Sequence, residues 1–144
     1  MARQKPQRSE GEEIALAVHE LLRRVRFDDV DEVCCWGLTR TECHVLEVIA
    51  LDAGLSVNDI AGRIRLNKST ASRVVRSLTE KQLVSCKAAP HDRRAMQVSA
   101  TAKGVTLWRQ IVRASAQSYE EMLADCTPAE RKAVVRFLRR LNPA

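Results

Sequence analysis

The chain has 144 residues, of which 45% are hydrophobic and 29% charged, so its length and composition fit one packed domain. No apolar run approaches the length of a membrane span, and the basic N-terminus lacks the apolar segment of a secretory signal, so we expect a cytoplasmic protein without a membrane partner. The net charge of +6 is concentrated in residues 63–94, which hold nine basic and two acidic residues. Such a local excess is typical of a surface that binds a polyanion.

The N-terminal part of the chain is predicted to be a tail followed by one helix. Residues 1–10 are polar and charged, which predicts a disordered, solvated tail. Between Glu12 and Arg26 apolar residues recur at helical spacing, with glutamates in the first turn and arginines in the last, as the helix dipole favours. Residues 11–37 are therefore predicted to form a helix and a polar connector.

Two more helices are predicted between residues 38 and 64. Thr39 and Glu42 have the spacing of a capping box, which predicts the start of the first of them, and Gly54 marks its end. Ser56 is predicted to cap the second, a short helix whose apolar positions run to Ile64.

The stretch from Asn67 to Leu78 is predicted to be an amphipathic helix that Asn67 caps. One stripe is apolar and must be buried, and it consists of Ala71, Val74, Val75 and Leu78. The opposite stripe offers hydroxyls and guanidinium groups, and it consists of Ser69, Ser72, Arg73 and Arg76. A short helix, a tight turn and a polar-faced helix form a helix-turn-helix pattern, in which arginine can grip guanine or phosphate in the major groove. From this helix alone, an alternative interpretation is that the basic side faces only solvent and binds nothing.

A β-hairpin is predicted directly after this helix. Residues 83–88 and 95–99 alternate as strands do, and the polar segment between them contains Asp92, Arg93 and Arg94. A hairpin in this place is a wing, whose arginines can enter a minor groove. The fold class is therefore predicted to be mainly α with a small β-hairpin wing, with a winged helix-turn-helix core over residues 38–100.

The C-terminal residues 101–144 are predicted to form two helices. Thr101 caps a long helix, and the Thr127–Glu130 capping box starts the last one. Together with the first helix, they carry apolar stripes that the winged core alone cannot cover. We therefore expect residues 11–37 and 101–144 to be dimerisation segments, and a two-fold dimer to read two half-sites of a pseudo-palindromic operator.

The chain resembles the MarR family of bacterial winged-helix transcription regulators over roughly residues 10–142. The resemblance is carried by a helix opening, a recognition helix and a wing that runs into a Thr-x-Lys-Gly motif: Leu38–Glu42, Ser69–Arg73, Leu78, Leu83–Val84, Asp92–Arg94, Val98, Thr101 and Lys103–Gly104. It implies a homodimer that binds double-stranded DNA and represses genes until a signal weakens binding.

The resemblance also implies roles for individual residues. The side chains implied to face the major groove are Ser69, Thr70, Ser72, Arg73 and Arg76, with Asn67 and Lys68 at the start of the same helix. In the wing, Arg94 is implied to enter the minor groove beside Arg93, and Asp92 to hold the wing arginines. Many family members bind phenolic or other aromatic acids near the dimer helices, but this chain is poor in aromatic residues, so Trp36 and Trp108 are the candidates to line such a pocket.

The five cysteines do not predict a disulfide framework, because their number is odd and no secretion signal is present. One stretch of the sequence contains the residues that could sense an effector or an oxidant or bind a metal ion, namely Cys34, Cys35, Cys43 and His44. Trp36 lies in the same stretch and is a candidate for effector contact only. Thiolates bind soft metal or metalloid ions and react with oxidants, whereas free cysteine also packs as a small hydrophobe. Both interpretations stay open for this cluster, and packing is expected for Cys86 and Cys126.

The function predicted from these features is that of a DNA-binding regulator without enzymatic activity. No phosphate loop, metalloprotease motif or nucleophile elbow is present. No cofactor is predicted other than a soft metal or metalloid ion as a candidate signal. The alternatives are the same regulator fold responding to a small organic ligand, or a winged-helix module that contacts protein. The last would be expected to have a neutral or acidic helix face, unlike one that carries Arg73 and Arg76.

Overall fold

The computed structural model of the chain describes residues 9–27, 36–89 and 96–141. In chain order these contain α1 (Glu10–Phe27), α2 (Arg40–Leu51), α3 (Val57–Arg63), α4 (Lys68–Glu80), β1 (Val84–Ala88), β2 (Met96–Ala100), α5 (Ala102–Met122) and α6 (Pro128–Leu141). The predicted class, mainly helical with a small β-hairpin, is confirmed. Within these described ranges, no helix is long and apolar enough to cross a membrane.

The chain divides into two units, residues 1–44 and residues 45–144. In the first unit, α1 begins at Glu10 rather than at Glu12. The earlier start arises because Ser9 and Glu12 form a capping box: the Ser9 backbone N–H donates to Glu12 Oε2 at 2.8 Å, and the Glu12 N–H donates to Ser9 Oγ at 3.3 Å. The remaining residues of the predicted tail, 1–8, lie outside the described residues.

The capping boxes predicted from the sequence are confirmed. At the start of α2, the Thr39 backbone N–H donates to Glu42 Oε2 at 2.8 Å, and the Glu42 N–H donates to Thr39 Oγ1 at 3.1 Å. The same reciprocal bonds join Thr127 to Glu130 before α6, as predicted. Before α3 the predicted cap Ser56 is also confirmed, and it forms a further box with Asp59 that was not predicted. These bonds satisfy backbone N–H groups that a helix leaves without partners at its start.

Exposed carboxylates in three of these capping boxes have a lowered pKa. The Ser56 hydroxyl and then its backbone N–H lower the pKa of Asp59, and Thr127 lowers the pKa of Glu130 in the same order. The backbone N–H of Ser9 and then its hydroxyl lower the pKa of Glu12. In each case the hydrogen bonds favour the charged form of the carboxyl.

The hairpin and the helices before it share the core of the second unit. Strands β1 and β2 are antiparallel, with Val84 opposite Ala100 and Ala88 opposite Met96. Leu55, which precedes α3, forms an isolated bridge with Val98: each backbone N–H donates to the other's carbonyl, at 3.2 and 2.8 Å. The buried apolar residues of this unit are Val45, Leu46, Ile49, Leu55, Ile60, Ala61, Ala71, Val75, Leu78, Leu83, Val84 and Val98.

Candidate nucleic-acid interface

Helix α4 carries most of the candidate DNA-binding residues, and Asn67 fixes where it begins. The Asn67 side-chain oxygen accepts hydrogen bonds from the Thr70 backbone N–H at 2.8 Å and from the Ser69 hydroxyl at 2.7 Å. The predicted cap is therefore confirmed. The residues of α4 that are buried are Ala71, Val75 and Leu78, all on the predicted apolar stripe, and Val74 is half-buried.

The opposite side of α4 is exposed and basic. The candidates that are exposed are Asn67, Lys68, Ser69, Ser72, Arg73 and Arg76, while Thr70 is half-buried. The helix has a single carboxylate, Glu80, which accepts a hydrogen bond from Arg76 Nε at 3.3 Å. Because these two side chains are 83% and 69% exposed, the ion pair is weak, and a phosphate can replace the carboxylate as the partner of Arg76.

The turn before α4 presents a cation that was not among the candidates predicted from the sequence. Arg65 is exposed and has φ +55, a left-handed conformation that residues other than glycine rarely adopt. Arg63, in contrast, donates to Asp52 at 2.6 Å. The only signal for Arg65 in the sequence was a basic residue in a predicted turn. Arg65 lies three residues before Lys68 in the sequence, so it adds a positive charge to the turn that leads into α4.

The wing is described at its base only. Burial along β1 falls from Val84, which is buried, to Ala88, which is exposed. The candidate tip residues Asp92, Arg93 and Arg94 lie outside the described residues, so their roles stay predictions. The prediction that Cys86 packs in the core is wrong, because its side chain is exposed. Cys86 lies two positions beyond Val84 towards the tip, where the core no longer covers the strand.

The candidate thiol and metal residues are only partly described. Cys34 and Cys35 lie outside the described residues, so their proximity to the other candidates stays a prediction. Cys43 is half-buried in α2, and His44 beside it is exposed. Among the residues that the structure describes, no three His, Cys, Asp or Glu side chains come together as they would to hold a metal ion. Cys126, which was expected to pack, is half-buried before α6.

The two tryptophans differ in their surroundings. Trp36 is 37% exposed. Trp108 is half-buried on α5, and its indole Nε1–H is buried without a hydrogen-bond acceptor among the described residues. A buried N–H without an acceptor is unfavourable, so a group that accepts its hydrogen bond would be stabilised there.

The C-terminal helices leave large apolar side chains uncovered. Gly104 is the buried residue of α5, and none of the residues of α6 is buried. The exposed apolar residues of these helices are Val112, Tyr119, Met122, Val134, Val135, Phe137, Leu138 and Leu141. These exposed apolar side chains are the part of the described chain that a partner could cover with the largest gain in free energy.

Comparison with known proteins places this arrangement in a family. Residues 36–95 match the sequence model of the MarR family. The chain is 30% identical to the HTH-type transcriptional regulator MhqR of Bacillus subtilis over 106 residues. The matched residues make up 74% of this chain and 73% of that protein. The chain is also 31% identical, over 105 residues, to the protein assigned to transcriptional regulation of the hcr operon in Thauera aromatica. The matched residues make up 73% of this chain.

The chain spans 63% of the length of the Thauera aromatica relative. The fold is similar to that of Streptococcus pneumoniae FabT in a crystal structure with DNA, with a TM-score of 0.71, 16% identity and coverage of 92% and 94% of the two chains. Both sequence relatives are named as regulators of transcription. The chain therefore belongs to the MarR family of winged helix-turn-helix transcriptional regulators, which bind DNA.

Proposed function

We propose that the protein is a homodimeric, cytoplasmic transcriptional repressor that binds a pseudo-palindromic operator and releases it in response to a signal. In each half-site, α4 enters the major groove and the wing lies against the adjacent minor groove. The observation that carries the proposal is the exposed side of α4, where cations and hydroxyls lie opposite a buried apolar stripe. A helix with one buried apolar side and one exposed polar side can pack on the protein core and still present its whole polar side to DNA.

The exposed residues of α4 divide by what they can contact. Arg73 and Arg76 can each donate two hydrogen bonds to a guanine edge or a phosphate. Ser72 can donate to a base edge or a phosphate from the same face, and Ser69, whose hydroxyl hydrogen is donated to Asn67, can accept a hydrogen bond from a base edge. We expect Lys68 and Arg65, at and before the start of α4, to contact the DNA backbone, where they would add affinity without reading sequence.

Selection from a random pool of duplexes tests this function and identifies the operator sequence in the same experiment. We expect the wild-type protein to select a duplex with two inverted half-sites. Arg73→Ala is expected to lower the affinity for that duplex about tenfold or more, and Arg94→Ala to lower it through the wing. Arg109→Ala, which removes an exposed arginine of α5, is the matched control and should bind as the wild type does. Failure to select any duplex, or equal binding by all variants, would contradict the proposal.

The proposed dimer is supported by the uncovered apolar faces of the C-terminal helices. Leu138 and Val134 are exposed on α6, which has 14 residues and none of them buried. A helix of this length is only marginally stable in water by itself, so a partner that covers these side chains would stabilise it. A second copy is the occupant that suits the function, because a two-fold dimer presents two copies of α4 to an inverted repeat.

The proposed signal is thiol chemistry at Cys34, Cys35 and Cys43. The proposal rests on their closeness in the sequence and on the half-buried position of Cys43 beside exposed His44. Replacing all three cysteines with serine should abolish release of the selected duplex by oxidants or by soft metal and metalloid ions. A triple variant that releases the duplex as the wild type does would remove the cysteines from the mechanism.

A small organic acid is the second candidate signal, and Trp108 favours it. The buried indole N–H could donate to a carboxylate or phenolate oxygen, which would supply the missing acceptor. Trp108→Phe keeps the apolar ring and removes the donor. If the ligand is an organic acid held there, salicylate or a similar aromatic acid should release the wild type from its duplex and not the variant. Equal release would leave Trp108 without this role.

A further inference from the structure

We infer that Thr101, Lys103 and Gly104 are positioning residues for the recognition helix. They hold the C-terminal end of α4 against the first turn of α5, and so set the direction in which α4 meets DNA. The inference rests on the proposed function of α4 in the major groove. It is carried by contacts between two segments that lie about twenty residues apart in the sequence.

Helix α4 ends in a turn that exposes a row of carbonyl groups. Gln82 has φ +62, and its backbone N–H donates to the Thr79 carbonyl at 2.9 Å. The Leu83 N–H donates to the Leu78 carbonyl at 2.9 Å, and both leucines are buried. This is a Schellman turn closed by its usual apolar contact. It fixes the backbone that follows α4 relative to the helix itself.

The start of α5 binds three consecutive carbonyls of that backbone. Lys103 Nζ donates to the Lys81 carbonyl at 2.9 Å. The Thr101 hydroxyl donates to the Gln82 carbonyl at 2.8 Å, and the Thr101 backbone N–H donates to the Leu83 carbonyl at 3.0 Å. Because a helix C-terminus is negative and an N-terminus positive, the charge of Lys103 and the N-terminal end of α5 suit a position against the last carbonyls of α4.

Gly104 makes the contact close. The Thr101 hydroxyl accepts a hydrogen bond from the Gly104 N–H at 3.0 Å, which caps α5. The glycine is buried, and a Cβ added to it would overlap the Leu83 carbonyl oxygen. Because that obstacle is backbone, a side chain could be accommodated only by moving α5 away from the end of α4.

Movement at this contact is magnified along α5. The helix has 21 residues, so it is about 31 Å long at about 1.5 Å per residue. Met122 lies about 27 Å from Gly104 along this helix, so a tilt of about 5° at Gly104 would move the far end by roughly 2.4 Å, most of the 3.4 Å rise of one base pair. The far end carries exposed Tyr119 and Met122, which belong to the proposed dimer surface. A disturbed contact should therefore change the half-site spacing that the dimer prefers.

The experiment compares Lys103→Met and Gly104→Ala with matched controls. The probes are the duplex selected by the wild type and versions of it with one base pair added or removed between the half-sites. Lys132→Met removes an exposed lysine of α6, and Gly11→Ala adds a Cβ where no atom lies within 4 Å. Amide hydrogen exchange of residues 77–84 reports on the end of α4 in the absence of DNA.

We expect Lys103→Met to weaken binding of the selected duplex about tenfold, as loss of a charged hydrogen bond would, and to flatten the preference for the original spacing. Gly104→Ala should shift the preferred spacing, and both variants should exchange faster at residues 77–84. Arg73→Ala should instead weaken binding at every spacing equally. Variants with a wild-type spacing preference and wild-type exchange would overturn the inference.

If the Gly104→Ala protein does not fold, the test rests on Lys103→Met, which we expect to fold because Lys103 is exposed. If the wild type selects no duplex, the proposed function fails, and hydrogen exchange still decides the contact. Unchanged exchange in Lys103→Met would then overturn it, and faster exchange confined to residues 77–84 would uphold the α4–α5 contact on its own.

Discussion

Replacing Leu138 with glutamate should convert the proposed dimer into monomers. Leu138 is 49% exposed on α6, and full burial of a leucine side chain is worth about 2 kcal/mol. Because Leu138 is already half-buried within its own chain, dimerisation would add about 1 kcal/mol from each leucine. A two-fold interface contains the residue twice, so the two leucines together contribute about 2 kcal/mol to dimer stability. A carboxylate in the same place also has to lose water without a partner, at a cost of several kcal/mol. We therefore expect the dimer to dissociate at least about a thousandfold more readily.

Sedimentation equilibrium over a range of protein concentrations measures this directly. Lys132→Gln is the matched control, because it changes the net charge by the same amount on the same helix at an exposed polar position. Circular dichroism should show that the winged core of the Leu138→Glu protein stays folded. A Leu138→Glu protein with the mass and the concentration dependence of the wild type would refute the reasoning, because it would mean that this face of α6 is not in the interface.

Three further predictions concern charge, pH and backbone conformation. Glu80→Gln should raise DNA affinity about twofold at low salt by releasing Arg76, an effect that disappears in binding assays at high salt. The folded protein lowers the pKa of Asp59 from its ordinary value of 3.8, so this residue contributes stability at a pH above 3.8 and loses that contribution as the pH falls further. The melting temperatures of wild type and Asp59→Asn should therefore converge in acid. A difference in melting temperature that stays constant with pH would contradict the capping box. Arg65→Gly should be about 1 kcal/mol more stable than Arg65→Ala in urea unfolding, because only glycine adopts φ +55 without strain.

The helix starts could be predicted because they depend on neighbours in the sequence. Asn67 bonds to an N–H group three residues later, and the Thr39–Glu42 box closes over the same distance. Such short-range hydrogen bonds leave a recognisable spacing. Ser9 and Glu12 have that spacing too, and the helix they start was predicted two residues late because the polar segment before it was interpreted as tail.

The contacts between distant segments could not be predicted. Nothing near Gly104 in the sequence indicates that it lies against the Leu83 carbonyl, and Leu55 gives no local sign that it pairs with Val98. The exposure of Cys86 depends on how far the core extends along the hairpin, which alternation within a strand does not report. The left-handed conformation of Gln82 was equally hidden, because glycine is the residue that marks such a turn in a sequence.

The two ends of α4 are held in different ways, and this bears on how a signal could reach it. The N-terminal end is capped by Asn67 within the helix-turn-helix itself. The C-terminal end is bound by Thr101 and Lys103, which belong to the first turn of α5. A change in α5 would thus act on α4 through its C-terminal end while the cap at the other end stays in place. The predicted result is a rotation of α4 in the groove rather than its unfolding, so a protein released by its signal should keep its helix content while it loses its operator.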